Sequence, residues 1–205
     1  GILAQEKFAP SEIVTGSLIR TTEPLRDYPI YNSNDYNSGE ITVVPQQFAT
    51  ERQSNLTSSA TIIQNMQTEP GGITALPVLQ NFIGASQNES GYLPPDPTGA
   101  VGPDHYVHSV NSIVKIFDKE GNLIFGPVNL SSFLGIPSNN GDPIVMYDQL
   151  ADRWFVSEFG SLGSNFGLAI GVSVTNDPTG AYNVYQYDFG VLPDYPHYGL
   201  WHDGY

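Results

Sequence analysis

Short alternating runs of apolar and polar residues fill the second half of the chain and predict β-strands. The pattern is clearest in residues 141–159, where the apolar runs 143–147 and 153–159 flank the polar turn 148–152. Runs rich in β-branched and aromatic residues, bounded by Gly, Pro, Asp or Asn, are typical of strands, and a short polar connection joins two of them in a hairpin. We therefore predict an antiparallel hairpin here.

Further runs of the same kind follow and precede this hairpin. The segment 91–104 is rich in Pro and Gly and is expected to be a loop, because Pro fixes φ and Gly permits unusual φ. The β-branched and aromatic runs around it predict additional strands at 105–111, 113–118, 123–128, 166–175 and 181–189.

The spacing of these strands indicates a repeat. Strand starts near Asp104, Asp142 and Tyr198 are about 40 to 55 residues apart, which is the spacing of four-stranded propeller blades. We predict an all-β fold, with an incomplete β-propeller-like repeat of four-stranded antiparallel blades at 81–205. Since a propeller needs about four to eight blades, we expect the chain to be part of a longer protein with downstream domains. A small β-sandwich is the alternative if it is complete.

The first 80 residues have a different texture. Ser, Thr, Asn and Gln dominate between residues 32 and 67, and Pro and Gly interrupt the segment repeatedly. This composition predicts an irregular leader that lies over a neighbouring domain or is partly disordered. Short runs at 41–44 and 59–64 are candidate strands, the second alternatively a helical turn. Residues 1–4 fit the end of a signal peptide that is cut after Ala4.

Charge and composition exclude several classes of function. The net charge is -14 with only 7 Lys and Arg, which opposes binding to nucleic acid and to anionic membrane surfaces. The chain contains no Cys, so disulfides, cysteine zinc sites and thiol nucleophiles are excluded. No apolar run is long enough to predict a membrane span.

Four stretches together resemble a group of large secreted proteins common in Bacteroidetes and other marine bacteria. The stretches are PPDPTGAVGPDHYVHSVN, IVKIFDKEGNLIFGP, GDPIVMYDQLADRWFVSEF and DYPHYGLWHDGY. The resemblance implies a signal peptide, an irregular leader and a propeller-like β domain exported by type-nine secretion. It therefore implies that the protein is secreted or lies at the cell surface. Most members of the group have no assigned activity, so the resemblance implies no particular reaction.

The strands that start near Asp104, Asp142 and Tyr198 would be the inner strands of the predicted blades. Candidate ligand-binding residues lie in and next to the loops that lead into these strands. In a propeller these loops open on one face, so we expect their polar side chains to converge there. Three of these residues, Asp96, Asp142 and Asp203, are candidate ligands for calcium, the one cofactor that the sequence suggests. An Asp before Pro also serves as an ordinary turn starter, which is the alternative role for Asp96 and Asp142. The complete candidate set is Asp96, Asp104, Asp142, Asp194, His197, Trp201, His202 and Asp203.

Two functions remain open from the sequence. The first is a secreted or cell-surface module that binds an extracellular glycan or a surface protein through the inner-loop face, with Tyr92, Tyr195 and Trp201 as exposed aromatics. The second is a calcium-dependent glycoside hydrolase or lyase, which needs two rim carboxylates about 5 to 10 Å apart. No catalytic residue is assigned, and Asp148 and Asp152 are interpreted as turn residues.

Overall fold

The computed structural model describes residues 13–33, 42–43 (backbone only), 78–163, 167–194 and 196–205, and this part of the chain is mainly β-strand. The helices whose bounds are described are α1 (Gln87–Ser90) and α2 (Leu130–Leu134), both short, and a 3-10 turn spans Leu25–Asp27. The all-β prediction is therefore confirmed. The strands are β1 (Ser17–Thr21), β2 (Thr42–Val43), β3 (Tyr92–Leu93), β4 (Thr98–Val101), β5 (His105–Val110), β6 (Ile113–Asp118), β7 (Leu123–Asn129), β8 (Ile144–Asp148), β9 (Arg153–Phe159), β10 (Gly167–Ser173) and β11 (Tyr182–Asp188).

Two antiparallel sheets contain nearly all of these strands. The first sheet has the order β4-β5-β6-β7, and the second has the order β1-β11-β10-β9-β8. Apart from β1, each sheet is a meander in which strands that follow each other in sequence are also neighbours. The predicted hairpin at 141–159 is confirmed, with Val145 opposite Val156. Strands β2 and β3 form a separate two-stranded parallel pair, and neither main sheet closes on itself within the described residues.

A large apolar core holds the two sheets together. Strand side chains alternate between faces, so each sheet turns one apolar face towards the other. Trp154, which is 1% exposed, and Val156 of the second sheet belong to the same buried cluster as Val107 and Ile116 of the first. Burying each such side chain stabilises the fold by about 1.5 to 3 kcal/mol.

The structure corrects the sequence prediction at the start of the first sheet. Residues 98–101 were expected in a loop, but they form β4, in which Thr98 pairs with Ser109 of β5. In the sequence, Gly99 looks like a turn residue. In the structure it lies within a strand, and packing explains why it is a glycine, because a Cβ there would come within 2.5 Å of the Tyr106 hydroxyl oxygen. The first strand of this sheet is therefore β4, and not the strand that starts after Asp104.

Part of the predicted leader belongs to the packed fold. Strand β1 pairs with the outer strand β11, and Leu25, 1% exposed, lies in the main core. The candidate strand at 41–44 corresponds to the two-residue strand β2. The predictions for residues 1–4 and 59–64 lie outside the described residues. No helix in the described part of the chain is long and apolar enough to cross a membrane.

The strands β4 and β8 lie side by side and start at the same edge of the molecule. Near their starts, the backbone N–H of Val145 donates to Thr98 Oγ1 at 3.3 Å. Towards their ends, Gly102 lies against Tyr147 and Trp154, so closely that a Cβ at position 102 would come within 2.6 Å of the indole ring. The two strands are thus parallel, and the loops that precede them meet.

Candidate functional site

Two carboxyl groups meet at the edge where β4 and β8 begin. Asp96 lies just before β4 and Asp142 just before β8, so the parallel arrangement of these strands brings the two residues together. Their carboxyl groups are close enough to share a proton in a hydrogen bond. Asp194, from the segment after β11, acts on Asp142 through its charge. We call this region, defined by Asp96, Asn111, Asp142 and Asp194, the rim.

Asn111 ties the two aspartates to each other. Its buried side chain donates from Nδ2 to Asp96 Oδ2 at 2.8 Å and to the Pro94 carbonyl at 2.8 Å. Its Oδ1 accepts from the backbone N–H of Asp142 at 2.8 Å. One amide at the turn between β5 and β6 therefore fixes the loops that precede β4 and β8, and the carboxyl pair is held by residues of both sheets.

The backbone at both aspartates is in the left-handed region. Asp96 has a φ of 37° and Asp142 a φ of 52°. Asp tolerates this region better than most residues other than Gly, which explains the residue type without requiring a ligand. Strained backbone that the surrounding structure maintains is common at functional sites. The strain is therefore compatible with both the turn role and the binding role that the sequence left open.

The electrostatics of the pair set it apart from the other carboxylates. Burial, the hydrogen bond to Asp96 and the charges of Asp96 and Asp194 together raise the pKa of Asp142 to about 6. Neither Asp96 nor Asp142 forms an ion pair with Lys or Arg among the described residues, where the ion pairs are Lys115–Glu89 and Arg26–Asp177. A carboxyl pair without a counter-cation opposes folding, so its presence calls for a functional explanation.

A third acidic residue lies buried behind the pair. Glu158 of β9 is fully buried, and its Oε1 accepts from the backbone N–H of Gly141, next to Asp142, at 3.1 Å. Burial raises the pKa of Glu158 to about 8, against the lowering effect of the Ser112 hydroxyl and nearby backbone N–H groups, while the charge of Asp142 raises it further. Glu158 Oε2 and Ser112 Oγ make no hydrogen bond of regular geometry within the described structure.

Amide groups extend the polar surface beside the pair. Asn139 Nδ2 donates to the Tyr92 hydroxyl at 3.1 Å, and Asn140 Nδ2 donates to the Phe159 carbonyl at 3.2 Å. Both amides are half-buried and lie in the loop that leads into Asp142. Tyr92 was expected as an exposed rim aromatic, but it is half-buried and hydrogen-bonded. Tyr195, the second such aromatic, lies outside the described residues.

The structure brings some of the predicted site residues together and separates others. Asp96 and Asp142 lie next to each other at the rim, and the charge of Asp194 acts on Asp142; the ligand-binding role of all three stays a prediction. Asp104 follows the end of β4, at the opposite edge from Asp96, where its charge acts on Tyr147 at the end of β8. The structure therefore separates Asp104 from the Asp96–Asp142 pair, because residues 98–101 form a strand and not a loop; a ligand-binding role for Asp104 stays a prediction.

The remaining candidates lie near the end of the sequence. Trp201 is 69% exposed and closes a turn by donating from its backbone N–H to the Gly204 carbonyl at 3.0 Å. Its ring lies 5.5 Å from that of His202. Asp203 in the same turn is exposed, as is His197. The binding roles of His197, Trp201, His202 and Asp203 stay predictions.

No group of three or more His, Asp or Glu side chains in the described part of the chain is arranged to hold a metal ion. Of the three candidate calcium ligands, Asp96 and Asp142 are adjacent, whereas Asp203 lies in the separate turn. Calcium prefers six to eight oxygen ligands, which two carboxylates supply only together with backbone or water oxygens. Calcium binding therefore stays a prediction.

Sequence reasoning missed Asn111 and Glu158. The strand 153–159 was predicted from its aromatic and apolar residues, and Glu158 was included with them. A single acidic residue between Ser157 and Phe159, in a strand that is mainly apolar, was a signal for a buried carboxyl group. Asn111, at the end of a predicted strand, looked like an ordinary turn residue. Its role depends on contacts with residues 15 and 31 positions away in the chain, and no local pattern reveals those.

An aromatic groove of about 450 Å³ lies on the opposite face of the second sheet. Phe155 lines this groove, and its ring centroid lies 4.8 Å from that of Tyr198 and 5.5 Å from that of Tyr205. None of the described residues that line it carries a charge, in contrast to the rim. The lining residues are Phe155, Leu168, Ile170, Val172, Asn183, Tyr185, Tyr187, Phe189, Tyr198 and Tyr205. The rim and the groove are thus two separate features of different chemistry.

Comparison with known proteins adds no assignment to this geometry. The chain matches no protein-family model, no curated protein and no solved structure.

Proposed function

We propose that the chain is part of a secreted or cell-surface propeller-type module that binds a glycan at the rim. The fold supports this in one respect: two four-stranded meanders lie next to each other with their first strands, β4 and β8, side by side and parallel. Adjacent propeller blades have this relation around a central channel. The loops that precede those strands carry Asp96 and Asp142, where a propeller would present its ligand.

The Asp96–Asp142 pair is the observation that carries the proposal. The side chain of Asn111 donates to the Asp96 carboxylate and accepts from the backbone N–H of Asp142, which holds the two residues together. Neither carboxyl group has a counter-cation among the described residues. Carboxylates accept several hydrogen bonds each, and neighbouring hydroxyls of a sugar ring supply donors at matching spacing. The amides of Asn139 and Asn140, in the loop that leads into Asp142, are held by internal hydrogen bonds to Tyr92 and Phe159 and so fix the shape of that loop. Polar groups fixed by both sheets would recognise a ligand without rearrangement.

An enzyme that acts on glycans is the second candidate, because the pKa of Asp142 is raised to about 6. Such a group is suited to proton transfer near neutral pH. Glycoside hydrolysis, however, uses carboxyl groups about 5 to 10 Å apart, since water or the sugar must lie between them. A pair that shares a hydrogen bond is closer than that. Binding is therefore the better-supported function.

Affinity electrophoresis in gels that contain neutral, acidic or amine-bearing polysaccharides tests the proposal. We expect at least one class to retard the wild-type chain and the variants Asp96→Asn and Asp142→Asn to lose retardation. Asn suits both test positions, because it tolerates the positive φ of Asp96 and Asp142 as Asp does. Asp104→Asn, at the opposite end of β4, should behave as wild type.

Three results would separate the alternatives. Retardation in no gel would contradict glycan binding. Equal retardation of Asp142→Asn and wild type would remove the rim from the site. Release of new reducing ends from a retained polysaccharide, lost in Asp142→Asn, would establish the enzyme instead.

A further inference from the structure

Residues 82–86 lie across the first sheet on the face opposite the main core. Side chains of a strand alternate between faces, so Tyr106 and His108 of β5 point away from the buried Val107 between them. The Phe82 ring packs on this outer face, with its centroid 5.9 Å from that of Tyr106. The segment then continues past His108 into the helix α1.

His108 fixes the middle of this segment. Its Nδ1 accepts a hydrogen bond from the backbone N–H of Ala85 at 2.9 Å. The chain passes so close to the imidazole that a Cβ at Gly84 would come within 2.6 Å of Nδ1. An imidazole nitrogen accepts a hydrogen bond only while it carries no proton. The contact to Ala85 therefore requires the neutral form of His108.

A second cation lies beside the imidazole. Lys115 of β6 is directly opposite His108 in the sheet and is only 7% exposed. Its Nζ lies 2.8 Å from a carboxylate oxygen of Glu89 in α1. Protonation of His108 would thus place two cations next to one carboxylate, which the ammonium already holds.

The neighbours of His108 on the remaining elements are uncharged near neutral pH. The Tyr106 ring stacks on the imidazole at 5.6 Å, and burial raises the pKa of its hydroxyl. Strand β4 places Gly99 opposite His108. Burial and the charge of Lys115 therefore lower the pKa of His108 below its ordinary value of 6.5, although the charge of Glu89 opposes this.

From this geometry we propose that His108 is a pH-sensitive latch, which holds residues 82–86 on the first sheet when it is neutral and releases them when it is protonated in mildly acidic solution. A proton on Nδ1 would face the Ala85 N–H, so the hydrogen bond would become a contact between two donors. Release lets water solvate the imidazolium. The inference does not depend on glycan binding.

The ion pair that follows the latch limits the opening. Burial would raise the pKa of Glu89, but hydrogen bonds from Lys115 and Ser86 lower it below its ordinary value of 4.5. The pair with Lys115 therefore persists where His108 is already protonated. Further along the chain, the Pro94 carbonyl accepts from Asn111 Nδ2 at 2.8 Å. We expect the opening to end before Glu89 and to leave the rim in place.

The direction of the pH effect follows from proton binding in the two states. The released segment leaves His108 with its ordinary pKa of 6.5, so the open form binds a proton more readily than the closed form. The closed form is favoured fully above this pH and loses its advantage as pH falls through the lowered pKa of the closed state. The open fraction rises by at most about tenfold for each pH unit in that window.

Hydrogen exchange of the Ala85 amide, followed by NMR at about pH 7.5 and pH 5 and corrected for the intrinsic exchange rate, tests the latch. We expect its protection factor to fall about threefold or more at the lower pH, while amides of β10 keep theirs. His108→Gln offers an oxygen to the Ala85 N–H but no titrating group, so its protection should not depend on pH. His105→Gln, which removes the other histidine of β5, should retain the wild-type response.

Gly84→Ala provides a second, independent variant. Its new Cβ would force the segment away from the imidazole, so the Ala85 amide should be weakly protected at both pH values. A wild-type pH response in this variant would contradict the latch.

Three further outcomes would overturn the proposal. The first is equal protection of Ala85 in the wild type at both pH values. The second is a loss in β10 as large as at Ala85, which would indicate unfolding of the whole domain. The third is an undiminished pH response in His108→Gln, which would assign the effect to another group.

Discussion

Replacing Glu158 by Gln tests whether a buried acid in the core opposes folding as pH rises. Glu158 is 0% exposed, and its Oε1 accepts from the Gly141 N–H at 3.1 Å. Gln has nearly the same shape and keeps an oxygen for this hydrogen bond, so the change removes the ionisable group and little else. We expect Glu158→Gln to be more stable than wild type above about pH 7.

The magnitude follows from the pKa difference between the folded and unfolded states. Burial raises the pKa of Glu158 from its ordinary value of 4.5 to about 8, so the folded chain holds this proton more tightly than the unfolded chain. The stabilisation from the bound proton is complete below the unfolded pKa and is lost as pH rises through the folded pKa. One pKa unit corresponds to about 1.4 kcal/mol, so the loss approaches at most about 5 kcal/mol above pH 8. That is comparable to the whole stability of many domains, about 5 to 15 kcal/mol.

Urea unfolding at a series of pH values between about 5 and 9 measures this loss. Fluorescence of Trp154, which is 1% exposed in the folded state, reports the transition. The two should be similar near pH 5, and wild type should then lose stability relative to Glu158→Gln up to about pH 8, above which the difference should level off. Glu120→Gln, which removes an exposed acid in the turn between β6 and β7, is the matched control and should parallel wild type.

Two outcomes would refute the reasoning. Parallel stability curves for wild type and Glu158→Gln would show that the buried carboxyl does not titrate in this range. A variant that is less stable than wild type at every pH would show that the Oε2 position needs an acid for hydrogen bonding. That result would contradict the view that Oε2 lacks a partner.

Two further predictions concern packing and charge elsewhere in the fold. Gly102→Ala should destabilise the chain by about 1 to 3 kcal/mol, because the new Cβ would come within 2.6 Å of the Trp154 ring. Gly190→Ala is the control, since no atom lies within 4 Å of a Cβ at that position. Equal urea midpoints for the two variants would contradict the close approach of Gly102 to Trp154. Glu89→Gln should cost about 1 to 3 kcal/mol, since it leaves the Lys115 ammonium, only 8% exposed, without its carboxylate at 2.8 Å. Arg26→Gln, which breaks a pair that is half exposed on both sides, should cost less than about 1 kcal/mol, and a thermal melt that ranks the two variants in the opposite order would refute this assignment.

Local pattern was sufficient to predict most strands, because side-chain alternation and turn residues act over only a few positions. Strand β9 was predicted with its bounds, and β8, β10 and β11 within two residues. Strand β4 was missed because Pro and Gly on either side of Thr98 are turn signals. Its strand character comes from pairing with β5, and Gly99 is required there only because the Tyr106 ring lies above it. A contact across the sheet thus outweighed the local preference.

The sequence by itself determined the all-β class, the hairpin at 141–159 and the acidic character of the chain, since these depend on residue type and short-range order. It also indicated that the loops with Asp96 and Asp142 share an edge. Only the tertiary structure decided that Asp96 and Asp142 lie next to each other, that Asn111 bonds to both residues and that Asp104 lies at the other end of β4. It alone showed that Glu158 is fully buried and bonded to the loop before Asp142. These features depend on distances between residues far apart in the chain, and burial and neighbouring charge, not residue type, set the chemistry of a carboxyl group.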